Sequence, residues 1–135
     1  TDGNWIMSGI HVGRRLRGDQ PGRNLPAVAI SRGEDFTRWD LVVIPVSDEV
    51  ARFPVWGEST VIMQGARVLN ISRWNRDSPV ALVAESLDHG RTWSPLRASN
   101  LPMAATKPYA GTLSCGRHYL VASSTADNGN RRAPL

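Results

Sequence analysis

Residues 86–93 read Ser-Leu-Asp-His-Gly-Arg-Thr-Trp, which fits S-x-D-x-G-x-T-W at every fixed position. Each fixed residue type has a physical job in one compact turn between two strands. Asp88 accepts hydrogen bonds from the amides that follow it, as Asp does in Asx-turns. Gly90 takes a positive φ where a Cβ would clash. Ser86 and Thr92 bridge hydroxyl to backbone across the turn. Trp93 offers a large apolar face to the sheet and an N–H that wants a partner.

Outward from this turn the chain reads as short strands separated by Gly, Pro, Asp and Asn. β-branched residues and short alternations predict strands at Trp5–Val12, Ala27–Ser31, Leu41–Pro45, Thr60–Met63, Val68–Trp74, Val80–Ser86, Gly111–Ser114 and His118–Ser123. No segment keeps a helical period over three turns; Ser47–Arg52 allows a single helical turn. The pattern predicts an all-β fold. A second, looser copy of the turn lies at Ser31-Arg-Gly-Glu-Asp35-Phe-Thr37-Arg-Trp39, and its Ser stands 55 positions before Ser86. That separation suits one four-stranded unit plus loops.

The Ser86–Trp93 pattern resembles the Asp box, the bacterial neuraminidase repeat of sialidase-like β-propellers. The box is a structural turn and places no catalytic group. Glu58-Ser-Thr-Val61-Ile62 is similar to the opening of the family blade that carries a conserved glutamate. Arg67-Val-Leu-Asn70-Ile-Ser-Arg73 resembles the strand that follows, whose Arg belongs to a substrate-binding arginine triad. Leu101-Pro102 through Gly111-Thr112-Leu113 resembles the first strand of the next blade. Asn130-Arg131-Arg132-Ala-Pro-Leu135 is similar to the segment that supplies a further triad Arg, with Arg132 the match and Arg131 the near miss. The resemblance covers somewhat over half the chain. It implies a fragment, roughly two to three blades, of a six-bladed β-propeller with four-stranded antiparallel blades. The units would lie near 1–45, 56–100 and 108–135, the last cut short. The chain is accordingly expected to be a piece of a longer protein. Thr1–Pro26 holds no match for the family's first triad Arg or its acidic Asp, and the nucleophilic Tyr falls beyond Leu135 in this register.

Charge and composition narrow the function classes. Hydrophobic residues make up 41% of the chain and five tryptophans are present, which describes a globular sheet protein. The net charge is +4 and Arg dominates the basic residues. The basic clusters Arg14-Arg15-Leu16-Arg17 and Arg131-Arg132 stand among Asp and Glu and form no stripe with stacking aromatics, so nucleic acid is not an expected partner. No apolar run approaches the ~18 residues of a membrane span. Cys115 alone makes no intrachain disulfide, and its place in Gly111–Cys115 reads as a buried, inert thiol. His11, His89 and His118 share no metal-ligand spacing; His89 reads as a solvent-facing box position. Neither a metal nor a cofactor is expected, and no phosphate-binding or dinucleotide loop is present.

The candidate site follows from charge chemistry. A carboxylate-bearing sugar needs a planar, charge-matched clamp, which Arg supplies through bidentate hydrogen bonds that Lys cannot reproduce. Arg73 and Arg132 would provide it from inner strands of successive blades. Glu58, beside two arginines, stays ionised and would activate a Tyr nucleophile by accepting its proton; sialidases use Tyr where most glycosidases use a carboxylate. Lys107 and Tyr109, before the next strand, would contact an acidic group and stack on a sugar. Ser86, Asp88, Gly90, Thr92 and Trp93 keep a structural role. The resemblance thus implies an exo-acting sialidase, with a glycan bearing an acidic terminal sugar as partner and an extracellular or periplasmic location. Two other functions fit the same scaffold: a non-catalytic carbohydrate- or protein-binding propeller, and a polysaccharide lyase acting on uronates with a His or Tyr base.

Overall fold

The computed structural model describes residues 2–12, 24–53, 55–74 and 78–125. The fold is all-β. β1 (Ile6–Val12), β2 (Asn24–Arg32) and β3 (Asp35–Val43) form one antiparallel sheet. A four-residue helix, α1 (Asp48–Ala51), leads to β4 (Ser59–Gln64), β5 (Arg67–Ser72), β6 (Val80–Ser86) and β7 (Arg97–Pro102), which make a four-stranded antiparallel meander. β8 (Tyr109–Thr112) and β9 (His118–Val121) form a hairpin. None of the three sheets closes on itself among the described residues.

Alternation decides how the sheets pack. In β6, Ala81, Leu82, Ala84 and Ser86 are buried while Val83 and Glu85 are partly covered, so both faces of this strand meet protein. Leu82 and Ala84 face Val28 and Ile30 of β2, with Ile44, Val50 and Leu96 completing the first apolar cluster. Ala81 and Ile71 join Met103 in a second cluster, against which Leu120 and Ala122 pack. The middle sheet therefore lies between the other two. Each fully buried Val, Leu or Ile contributes about 1.5–3 kcal/mol relative to exposure. Ser47 caps α1, its Oγ accepting from Val50 N, and drops Val50 into the first cluster.

The Ser86–Trp93 turn is built as its residues predict, except that the Thr92 hydroxyl bonds to the Asp88 carboxylate and not to backbone. Asp88 Oδ1 accepts from the N–H groups of Arg91 (3.0 Å) and Thr92 (2.8 Å), and Oδ2 accepts from Thr92 Oγ1 (2.6 Å). Ser86 Oγ donates to Asp88 Oδ1 and accepts from Gly90 N, both at 2.8 Å. Gly90 has φ +90°, and a Cβ there would stand 2.7 Å from Ile6 Cδ1 of the first sheet. Trp93 Nε1 donates to Gly90 O, and the indole packs on the first cluster. The second copy keeps part of this design. Asp35 Oδ1 accepts from Thr37 N and Oγ1, and Trp39 Nε1 donates to the carbonyl three residues back, that of Phe36.

Several sequence expectations are corrected. Cys115 is exposed, because β8 ends at Thr112 and the chain turns through Gly116 at φ +83°. His89 is half-buried rather than solvent-facing; its φ of 61° turns the chain inward, and Nδ1 is enclosed without a partner among the described residues. The third strand begins at Asp35, six residues before the predicted start, so Thr37 and Trp39 lie within it. β7 was not predicted at all. Arg131 and Arg132 lie outside the described residues.

Two outcomes test this account of the turn. Hydrogen bonds from Thr92 Oγ1 and then Thr92 N hold the Asp88 carboxyl at about 2, below its ordinary value. A depressed carboxyl stabilises the fold above the unfolded-state value near ~4 and loses that contribution as pH falls toward the folded value. Asp88→Asn is expected to lower the melting temperature at neutral pH and to flatten its fall between pH ~4 and ~2, read by circular dichroism. Trp93→Ala is expected to cost about 3 kcal/mol in urea unfolding, the low end for a large aromatic because the indole is half-buried.

Candidate functional site

Strand register creates a second feature at the far end of the middle sheet. Ser59 pairs with Ser72, so Glu58 and Arg73 are the first residues beyond the β4–β5 ladder and face each other there. Arg73 N donates to Glu58 O at 2.8 Å, which holds the two backbones together. Their side chains form an ion pair between Arg73 Nη1 and Glu58 Oε2. The Arg73 side chain is 13% exposed and that of Glu58 30%. This is the most enclosed of the ion pairs formed among the described residues; in Arg67–Glu85, for comparison, both side chains are more than a third exposed.

A buried guanidinium is costly unless its charge and donors are met. Glu58 meets the charge. Trp56 covers the guanidinium on one side: the Arg73 guanidinium carbon lies over the indole ring, 4.8 Å from its centroid, a geometry in which the ring quadrupole attracts the cation. Arg73 Nε remains buried with no partner among the described residues, as does Nε1 of the adjacent Trp74. Phe53 meets Trp74 edge-on, ring centroids 6.0 Å apart. Trp56 is 44% exposed, so the side of the cation that it covers lies near the surface.

Gly57 makes this approach possible. It has φ +73°, and a Cβ would stand 3.0 Å from the Leu25 carbonyl and 3.2 Å from Ile10 Cγ2. The left-handed turn lets Trp56 and Glu58 converge on one guanidinium while the backbone rests on the first sheet. The sequence marks Glu58 and Arg73 but gives Trp56 and Gly57 no role. No sequence signal marks them, because a Trp beside a Gly in a loop does not say which cation it covers.

The remaining expected residues divide clearly. Ala110 N donates to Thr60 Oγ1 at 3.0 Å, which sets β8 beside β4. His118, opposite Thr112, lines a cavity with Gln64 and Arg67 at the other end of β4. Tyr109 and Lys107 therefore lie toward the Glu58 end. Both are exposed, and neither makes a hydrogen bond or ion pair with Glu58 or Arg73 among the described residues. Tyr109 lies 6.2 Å from Tyr119, ring centroid to centroid. A hydrogen bond with the Tyr109 hydroxyl pushes the Tyr119 hydroxyl above its ordinary pKa. Asp88 stands at the opposite end, since Ser86 pairs with Val68 and His89 N donates to Ala66 O. Among the described residues no three His, Cys, Asp or Glu side chains gather to hold a metal ion, and no helix is long and apolar enough to cross a membrane.

A crystal structure of a protein of unknown function from Dyadobacter fermentans DSM 18053 is similar to this chain, with a TM-score of 0.65 over 88% of it at 17% sequence identity. The chain spans 30% of the length of that protein. That likeness is one of fold. No family model matches the chain, and no curated protein matches it.

Removing either side of the enclosed pair should be felt in stability. Glu58→Ala leaves the Arg73 charge enclosed and unpaired, and is expected to cost about 2–3 kcal/mol in denaturant unfolding. Arg67→Ala breaks an open pair and is expected to cost about 0–1 kcal/mol.

Proposed function

We propose that this chain is part of a sialidase-like β-propeller and that its Glu58–Arg73 end takes part in exo-hydrolysis of a terminal acidic sugar. The observation that carries this reading is the enclosed Glu58–Arg73 pair, fifteen residues apart in sequence and joined at one end of a box-bearing sheet. Both residues are among those that the family resemblance singles out for the site, with Arg132. Fold support comes from the three stacked antiparallel sheets and from two Ser–Asp–Thr–Trp motifs that begin near the ends of β2 and β6; the first runs into β3 from Asp35 and the second precedes β7. Aligned on these motifs, β1–β3 correspond to β5–β7, and β4 has no counterpart among the described residues of the first sheet.

In this reading Arg73 binds the sugar carboxylate as a planar fork. Glu58 is the base that accepts a proton from a Tyr hydroxyl as that oxygen attacks the anomeric carbon. The glycosidic C–O bond breaks, its oxygen leaves with a proton from the acid, and water then displaces the Tyr and frees the sugar. The Tyr and the acid lie outside the residues assigned here. Arg132 would add a second cation to the clamp. Tyr109 and Lys107 would border the sugar.

The test is release of free sialic acid from a mixed glycan panel, read by mass spectrometry on the full-length protein. Release is expected from the wild type, with a fall of at least ~100-fold in Arg73→Ala. Asp88→Asn is expected to release at near wild-type rate below its melting temperature. Retention of the glycans without release would instead establish a glycan-binding propeller. Equal losses in both variants, tracking unfolding, would remove Arg73 from the site.

A further inference from the structure

We propose that Trp56 is a positioning residue that sets the plane of the Arg73 guanidinium, and so the orientation in which Arg73 meets a carboxylate; this rests on the carboxylate-clamp reading above. A planar fork on a flexible stem has two orientations to fix, its plane and its rotation within that plane. The Glu58 contact at Nη1 fixes rotation only, because the guanidinium can still hinge about a single ion-pair contact. The indole face, 4.8 Å from the guanidinium carbon, fixes the plane. The backbone makes both constraints act together. Trp56 and Glu58 flank Gly57, whose left-handed turn is pressed against Leu25 and Ile10, and Glu58 O holds Arg73 N. One tripeptide therefore grips the cation from its face and from its edge. Trp56 is 44% exposed, far more than a side chain kept only to fill a core.

Three replacements separate the face from the bulk. Trp56→Phe keeps a π face. Trp56→Leu and Trp56→Met keep apolar bulk and lose the face. The first readout needs no ligand: the Arg73 Nε–Hε resonance in ¹⁵N-edited spectra, assigned by its loss in Arg73→Lys. The ring stacked on the guanidinium is expected to shift it upfield in the wild type and in Trp56→Phe. In Trp56→Leu and Trp56→Met it is expected to return to the ordinary range. The second readout is calorimetric binding of free sialic acid, with its methyl ester as the uncharged control. Affinity for the acid is expected to fall about tenfold in Trp56→Leu and by no more than about threefold in Trp56→Phe, at unchanged melting temperature. An unshifted wild-type resonance overturns the proposal. So does wild-type affinity for the acid in both Trp56→Leu and Trp56→Met. If the wild type binds acid and ester equally, the carboxylate clamp fails, and with it the proposed consequence for ligand orientation; the resonance would then still report whether Trp56 sets the Arg73 plane.

Discussion

The Asp88 carboxylate sets the joint between the first two sheets. It accepts hydrogen bonds from Arg91 N, Thr92 N, Thr92 Oγ1 and Ser86 Oγ, and so closes a turn that would otherwise leave those groups to compete for water. Closing the turn brings Gly90, at φ +90°, against Ile6, whose Cδ1 would have to move to admit a Cβ. It also aims Trp93 at the cluster formed by β2 and β6. A polar device on the surface thus dictates an apolar contact inside. The four hydrogen bonds are modest one by one, about 1–3 kcal/mol each when the acceptor is charged. Their value is geometric, because they fix where the indole and the glycine lie before the sheets meet.

That joint leaves the opposite strand ends free for a different use. Register carries the consequence along β4, β5 and β6: Ser86 pairs with Val68 near the turn, and Ser59 pairs with Ser72 at the far end. Side chains alternate faces along a strand, so a slip of one residue would send every one of them to the opposite face. The box thereby helps decide that Glu58 and Arg73 meet. The costly group, an enclosed cation with an unmatched Nε, sits as far from the box as the strands allow. An unsatisfied buried donor is expensive in a folded protein. It is tolerable here because the apolar clusters and the turn secure the sheets elsewhere.

Features with local chemistry were legible in the sequence, and those that depend on partners were not. The box could be read because five residue types each answer a steric or hydrogen-bonding demand within eight positions. β6 was found with its observed bounds because Val80–Ser86 is both alternating and apolar. β7, Arg-Ala-Ser-Asn-Leu-Pro, was missed because it has no β-branched residue; it is a strand because β6 offers it an edge and Ser99 Oγ donates to Ala81 O. Cys115 was misplaced by reading Gly111–Cys115 as one run, whereas the turn at Gly116 ends the hairpin strand early. Glu58 and Arg73 were identified, but their direct pairing depends on register. Trp56 was invisible, since a Trp beside a Gly in a loop says nothing about which cation lies beneath it.

The two box tryptophans sit in different surroundings. Trp93 and Trp39 make the same bond, indole N–H to the carbonyl three residues back. Trp93 is covered because the first sheet packs on it. Trp39 faces away from the middle sheet, beside Trp5 at 5.8 Å from Phe36 and Phe36 at 6.1 Å from Trp39. Trp5, Met7, Phe36 and Leu41 on this side are each more than half exposed. A set of large apolar side chains this close together normally marks a contact surface. Trp39 has no sheet packed on it among the described residues.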